Sequence, residues 1–210
     1  MTQTTRTIKP VSPPAPRKMT YEEFLRWDGD NRYAEWVDGE IVQMSPTSSR
    51  HQRVANFLFR AISEFVERKR LGEVFHETFQ MKTGPGLSGR LPDILFVASR
   101  NLPRVKENYL EGPADLVVEV ISPDDPERDT IRKFAEYEAG GVPEYWLINP
   151  MTNQASFYIL DAEGRYKLSE PDTNGRYNST VLAGLWIDIN WLWKENSPTL
   201  LDVLKEWGLV

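Results

Sequence analysis

The sequence predicts a single mixed α/β or α+β domain, and three observations carry that expectation. Helix-period and strand-period signals alternate along almost the whole chain. The 210 residues, 40% hydrophobic and 27% charged, suffice for one sizeable core with small additions. No apolar run approaches the length of a membrane span, and the N-terminus lacks a signal-peptide hydrophobic region. A cytoplasmic protein without membrane partners is therefore expected.

In chain order, residues 1–18 hold Pro10, Pro13, Pro14 and Pro16 among threonines, serines and basic residues, with almost nothing to bury. They read as a disordered or extended arm ahead of one domain over residues 19–210. Thr20 with Glu23, just ahead of Phe24, Leu25 and Trp27, is a capping box opening a short helix that Gly29 ends. Tyr33 to Val37 and Glu40 to Met44 flank Asp38-Gly39, a strong hairpin signal. Val54, Leu58, Ala61, Ile62 and Phe65 then mark the buried stripe of a long helix over about 50–70, stopped by Gly72. Its Arg50, Arg53 and Arg60 lie towards other faces, where they either steer phosphate or form an ordinary solvated surface.

Glu73 to Lys82 reads as the first core strand, and the turn TGPGLS leads into RLPDILFVA (90–98). Pro92 ahead of that apolar run suits a strand at or near a sheet edge. The polar stretch 99–113, with Arg100, Arg104 and Lys106, is expected to be a loop, either a lip over a ligand or a surface excursion. Leu116 to Ile121 follows as a covered strand, then a linker over 122–127. The next helix, with Ile131, Phe134 and Ala135 as its buried stripe, ends at Gly140-Gly141, and Glu144 to Asn149 is a strand. A hairpin over Ala155–Leu160 and Tyr166–Leu168 precedes Trp186, Trp191 and Trp193. The last helix sets Leu200, Leu201, Leu204 and Trp207 on one side, to pack on the core or on a second subunit.

Two acids stand out within this frame. Glu119 interrupts the β-branched run LVVEVI, and a buried, unpaired carboxylate costs several kcal/mol or more. It must be protonated, paired or metal-bound, and it shares a strand face with Val117 and Ile121. Asp93 opens the other apolar run. Two strands with one carboxylate each suggest acids converging on one divalent cation, and all-oxygen ligation suits magnesium, manganese or calcium. Each acid also has a plainer reading: Asp93 as a turn cap, Glu119 as the partner of a core arginine. With no cysteine, disulfides, thiol catalysis and thiolate metal sites are excluded. The formal net charge of −6 argues against a broad, nonspecific nucleic-acid binder but not against a nuclease with local basic groups.

Pro92-Asp93 followed by Glu119, a helix and a strand resembles the PD-(D/E)XK nuclease superfamily. The blocks YAEWVDGEIVQMSPTSSRHQ (33–52), PDILFV (92–97), VVEVISP (117–123) and KFAEYEAGGVPEYWLINP (133–150) are similar to the Uma-two family within it, over about residues 19–193. The resemblance implies a restriction-endonuclease-like core: a mixed central sheet flanked by helices, with an added N-terminal hairpin and C-terminal strands. It implies a site in which Asp93, Glu119 and the backbone carbonyl of Val120 bind Mg2+ or Mn2+. Position 121, where the superfamily's lysine stands, is Ile121, and the matching cation in this family is Lys133. Glu35 and His51 match a glutamate and a histidine of the family.

Each of these three has an alternative. Lys133 can form a helix-surface pair with Asp129, Glu35 can face solvent from its hairpin, and His51 can be structural. The implied activity is metal-dependent endonuclease action on DNA, with a homodimer plausible. The alternatives are a nucleic-acid-binding or adaptor protein that retains the fold without efficient cleavage, and a hydrolase of smaller phosphate esters.

Overall fold

The computed structural model describes residues 18–28, 33–123, 128–194 and 197–210, with backbone alone for 128–130. The proline-rich arm, Gly29 and most of the 122–127 linker lie outside the described residues. Thr20 caps α1 (Tyr21–Leu25) with the full capping box, its side chain accepting from the Glu23 amide while Glu23 accepts from the Thr20 amide. The Asp38-Gly39 turn joins β1 (Ala34–Val37) to β2 (Glu40–Gln43), both turn residues having positive φ as a tight hairpin requires. Helix α2 (Ser49–Lys69) buries the expected stripe and ends at Arg70, which adopts the left-handed conformation two residues before Gly72.

The stretch read as one strand from Glu73 to Lys82 is two. β3 (Gly72–His76) and β4 (Gln80–Lys82) belong to different sheets, because Thr78 takes a φ of 70° and turns the chain between them. β5 (Gly89–Arg90) pairs with both β4 and β1. Three residues later the chain has crossed into the other sheet as β6 (Ile94–Ala98). That strand lies one in from the sheet edge, between the strand over Leu116–Val120 and the edge strand β3, near the edge as Pro92 suggested, and the proline sits ahead of its first ladder partner. The expected loop 99–113 is largely ordered structure, a 3-10 turn over Ser99–Arg104 and then β7 (Tyr109–Glu111), which pairs in parallel with β4. Its basic residues are not a free lip. Arg100 binds the buried Asp115 at 2.6 Å, and Lys106 binds Glu111 at 3.1 Å.

β8 (Leu116–Val120) precedes a wide, π-type turn over Arg128–Lys133 that continues into α3 (Phe134–Gly140), and Gly141 closes the helix at a φ of 78°. The chain returns as β9 (Glu144–Asn149), then β10 (Gln154–Leu160), β11 (Tyr166–Ser169), β12 (Arg176–Asn178) and β13 (Trp186–Asp188), and ends in α4 (Leu200–Glu206). The main sheet has the order β11-β10-β9-β8-β6-β3, with β8 and β9 parallel and the other neighbours antiparallel. The second sheet has the order β2-β1-β5-β4-β7.

Alternation along the strands gives the main sheet two different faces. Ile94, Phe96, Leu116, Val118, Trp146 and Ile148 face α2 and the C-terminal strands. Leu95, Val97, Val117, Ile121, Tyr145 and Leu147 face α3 and, through Met81 and Leu110, the second sheet. The fold is thus the mixed, helix-flanked architecture that the sequence predicts.

Two helix phases differ from expectation. Across the π-type turn and α3 the buried residues are Lys133 and Tyr137, four apart, while Ile131 is 61% exposed. The widened turn rotates the helix relative to an uninterrupted α pattern, and the inward ammonium is matched by acids beneath it. On α4 Val203 and Leu204 are buried and Leu201 is exposed, since the Trp207 indole donating to the Trp186 carbonyl at 2.9 Å fixes which side meets the core.

Candidate active site

The acids converge where the two sheets meet, on the α3 side of the main sheet. β6 and β8 pair with Ile94 opposite Val118, so Asp93, just ahead of β6, lies beside Glu119 of the neighbouring strand, and Glu119 shares the face of Val117. The Val120 amide donates to Asp93 Oδ2 at 2.7 Å, tying the start of β6 to the end of β8. Asp93, 13% exposed at its side chain, borders a cleft of about 460 Å³ whose walls include Tyr33, Met44, Gln52 and Leu91.

Glu119 is 2% exposed, and its cost is met in full. Lys133 Nζ donates to Oε2 at 2.7 Å, and the Tyr137 hydroxyl donates to Oε1 at 2.6 Å. Four-residue spacing on one helix brings an ammonium and a phenol to the two oxygens of one carboxylate. Burial first, then the charges of Glu119 and Glu35, push the Tyr137 phenol well above its ordinary pKa, so it stays a donor. Lys133, which the sequence also allowed as half of a surface pair with Asp129, is buried against the site; the Asp129 side chain lies outside the described residues.

Glu35 arrives from the second sheet. Its residue is 0% exposed, not solvent-facing, and its Oε1 lies 3.6 Å from Lys133 Nζ. The Leu91 amide donates to the same oxygen at 3.2 Å, and Arg90 donates to Oε2 at 2.7 Å. Arg90 also grips Glu136 of α3 through Nε at 2.5 Å and Nη2 at 2.7 Å, with Ser88 adding a bond to Glu136 at 3.1 Å. Burial would lower the Arg90 pKa, but these bonds and charges raise it above its usual value. One guanidinium therefore links β1, β5 and α3.

His51, on the first turn of α2, holds Nε2 at 3.3 Å from Asp93 Oδ1. Burial lowers its basicity; the hydrogen bond and charge of Asp93, with Glu119 and Glu77 beyond, outweigh that and raise its pKa. Its Nδ1 is buried without a hydrogen-bond partner.

All six residues named from the sequence thus gather here: Asp93, Glu119, Val120, Lys133, Glu35 and His51. Arg90, Glu136 and Tyr137 were missed as members. The Lys133–Tyr137 spacing was a usable signal for the phenol, whereas Arg90 and Glu136 stand 46 positions apart and nothing local announces their pairing.

The donor chemistry fits a hard divalent cation, since Asp93 and Glu119 offer oxygens from adjacent strands and Asp93 opens to a cleft. Among the described residues, no cluster of three or more histidine, aspartate or glutamate side chains is arranged to hold a metal. A site here would depend on backbone or water oxygens for its remaining ligands.

Residues 21–190 match a family model, Uma2, described as "Putative restriction endonuclease". The chain belongs to the Uma2 family. Its fold is shared with a solved structure, that of a putative nuclease belonging to DUF820 from Anabaena variabilis. The two are 20% identical, superpose with a TM-score of 0.70, and the match covers 83% of this Uma2 chain and 97% of the other. Among curated proteins none matches. No helix among the described residues is long and apolar enough to cross a membrane.

Proposed function

We propose that this Uma2 protein is a metal-dependent endonuclease that hydrolyses phosphodiester bonds of DNA. The observation that carries the reading is the buried Lys133–Glu119 pair next to Val120, whose amide holds the cleft-lining Asp93. A lysine with 2% side-chain exposure on a helix is costly to keep for surface solvation, and it lies between two acids where a phosphate would need a cation.

Asp93, Glu119 and the Val120 carbonyl would hold Mg2+ or Mn2+. Such an ion lowers the pKa of a bound water and neutralises charge at a scissile phosphate. Lys133 supplies fixed positive charge for the phosphate oxygens as negative charge builds on them. Tyr137 and Lys133 together orient Glu119 by engaging one oxygen each. His51 orients Asp93 from α2, and Arg90 steadies Glu35 against the lysine.

The test is calorimetric titration of manganese into the full chain and into Asp93→Ala, alongside plasmid cleavage by both. The substitution is expected to abolish both heat and cleavage; unchanged metal affinity overturns the assignment. A second reading, a nuclease-fold binding or adaptor protein, draws support from the lack of a three-residue metal cluster among the described residues and from Ile121 standing where the superfamily has lysine. It predicts DNA retention without cleavage under magnesium or manganese, with the Asp93 variant indistinguishable from wild type.

A further inference from the structure

The outward side of α2 carries groups that the acid cluster does not use. Arg50, Arg53 and Arg60 recur at spacings of three and seven, so with Phe57 they form one stripe of the helix. All three arginines are exposed. Together with the exposed Lys194 they line a groove of about 950 Å³ between α2 and residues 192–194 and 197–200.

Its charge is one-sided. No acidic side chain lines the groove, and no ion pair engages Arg53, Arg60 or Lys194, among the described residues. Arg50 donates to the neutral Asn153 side chain at 2.5 Å, which orients the guanidinium without cancelling its charge. Among the described residues the lining thus carries four cations and no acid, opposite in sign to the chain's formal net charge of −6. Half-buried Phe57 and Trp193 supply an apolar wall between them.

One end of the groove begins at the turn of α2 whose His51 contacts Asp93. Arg50 adjoins His51, and α2 carries the stripe away from Asp93 for about 15 Å at a rise of about 1.5 Å per residue. At about 3.4 Å per nucleotide, that length spans roughly four steps of one DNA strand.

We infer that this groove tracks the phosphate backbone of the DNA whose scissile bond lies at the acid cluster, an inference that rests on the nuclease reading. Its cations supply sequence-independent affinity and register, and they take no part in the chemistry.

The test is fluorescence anisotropy of a labelled short duplex with the full chain, in chelator, across a salt series. Three proteins are compared: wild type, the groove variant Arg53→Ala/Arg60→Ala, and Arg165→Ala/Lys167→Ala, which removes equal charge from a distant hairpin. Each lost phosphate contact lowers the slope of log affinity against log salt by about 0.9, so the groove variant should lose about 1.8. Its deficit against wild type then shrinks about twelvefold between 50 and 200 mM salt, and the hairpin variant keeps the wild-type slope.

Equal slopes in wild type and groove variant, an equal loss in the hairpin variant, or no binding by wild type would each overturn the groove. So would displacement of the duplex by polyglutamate as readily as by unlabelled DNA. Cleavage by all three proteins, with unchanged slopes, leaves the nuclease and removes the groove. Slopes as expected, without cleavage in manganese, leave the groove and remove the nuclease.

Discussion

Lys133 shows how one side chain serves both stability and chemistry. Its ammonium compensates Glu119 inside the protein, 2.7 Å away, and stands 3.6 Å from Glu35. Replacing it with methionine removes the ammonium from buried Glu119 while Arg90 still holds Glu35, and breaking a buried pair costs about 3–5 kcal/mol. On the proposed mechanism the same change removes one fixed electrostatic stabiliser, for which losses of about 10²–10³ in turnover are typical. Lys133→Met should therefore unfold earlier in denaturant and cleave plasmid far more slowly at temperatures where it remains folded. Wild-type turnover in the folded variant would return the lysine to a purely structural role.

At the scale of the element, α3 separates what a sequence tells from what it conceals. Gly140-Gly141 announced its end and the family blocks pointed to Lys133, both through local signals. The phase did not follow, because ordinary helical periodicity buries Ile131, whereas a π-type turn and a salt-bridged lysine invert the polarity of the stripe. Ile131→Ser should accordingly change stability by no more than about 0.5 kcal/mol in urea melts, as expected for an exposed position. A loss of several kcal/mol would restore the original phase.

Strand boundaries divide the same way. β8 and β9 were legible from β-branched runs, while the break between β3 and β4 rests on the left-handed Thr78, which no residue preference favours. Arg90 and Glu136 escaped for another reason, since their partnership exists only after two sheets and a helix have docked. β5 is the hinge of that docking and tolerates little. A Cβ on Gly89 would lie 2.4 Å from the Tyr21 ring and 2.9 Å from Gln80 Oε1. Gly89→Ala should cost about 1–3 kcal/mol, the usual range for overpacking, and thermal melting of that variant checks it.

For the molecule as a whole, the C-terminal piece completes the face of the main sheet opposite the acids. Phe65 of α2 meets Trp207 edge to face with ring centres 5.4 Å apart, and Leu204 is buried nearby in the chain. Leu204→Ala should remove about 2–5 kcal/mol. For a chain of this length each kcal/mol lowers the melting temperature by about 2–4 °C, so calorimetry should record a clear drop. Manganese affinity should persist in the folded variant, because α4 contributes nothing to the acid cluster.

The groups around Glu119 come from four separated stretches of chain, at 35, 90–93, 119 and 133–137. During synthesis, Glu35, Asp93 and Glu119 all leave the ribosome before Lys133, the cation that stands between Glu119 and Glu35. On the proposed reading, a nascent or truncated chain is harmless to the genome that encodes it. Competence to cut would begin only once the whole set had closed.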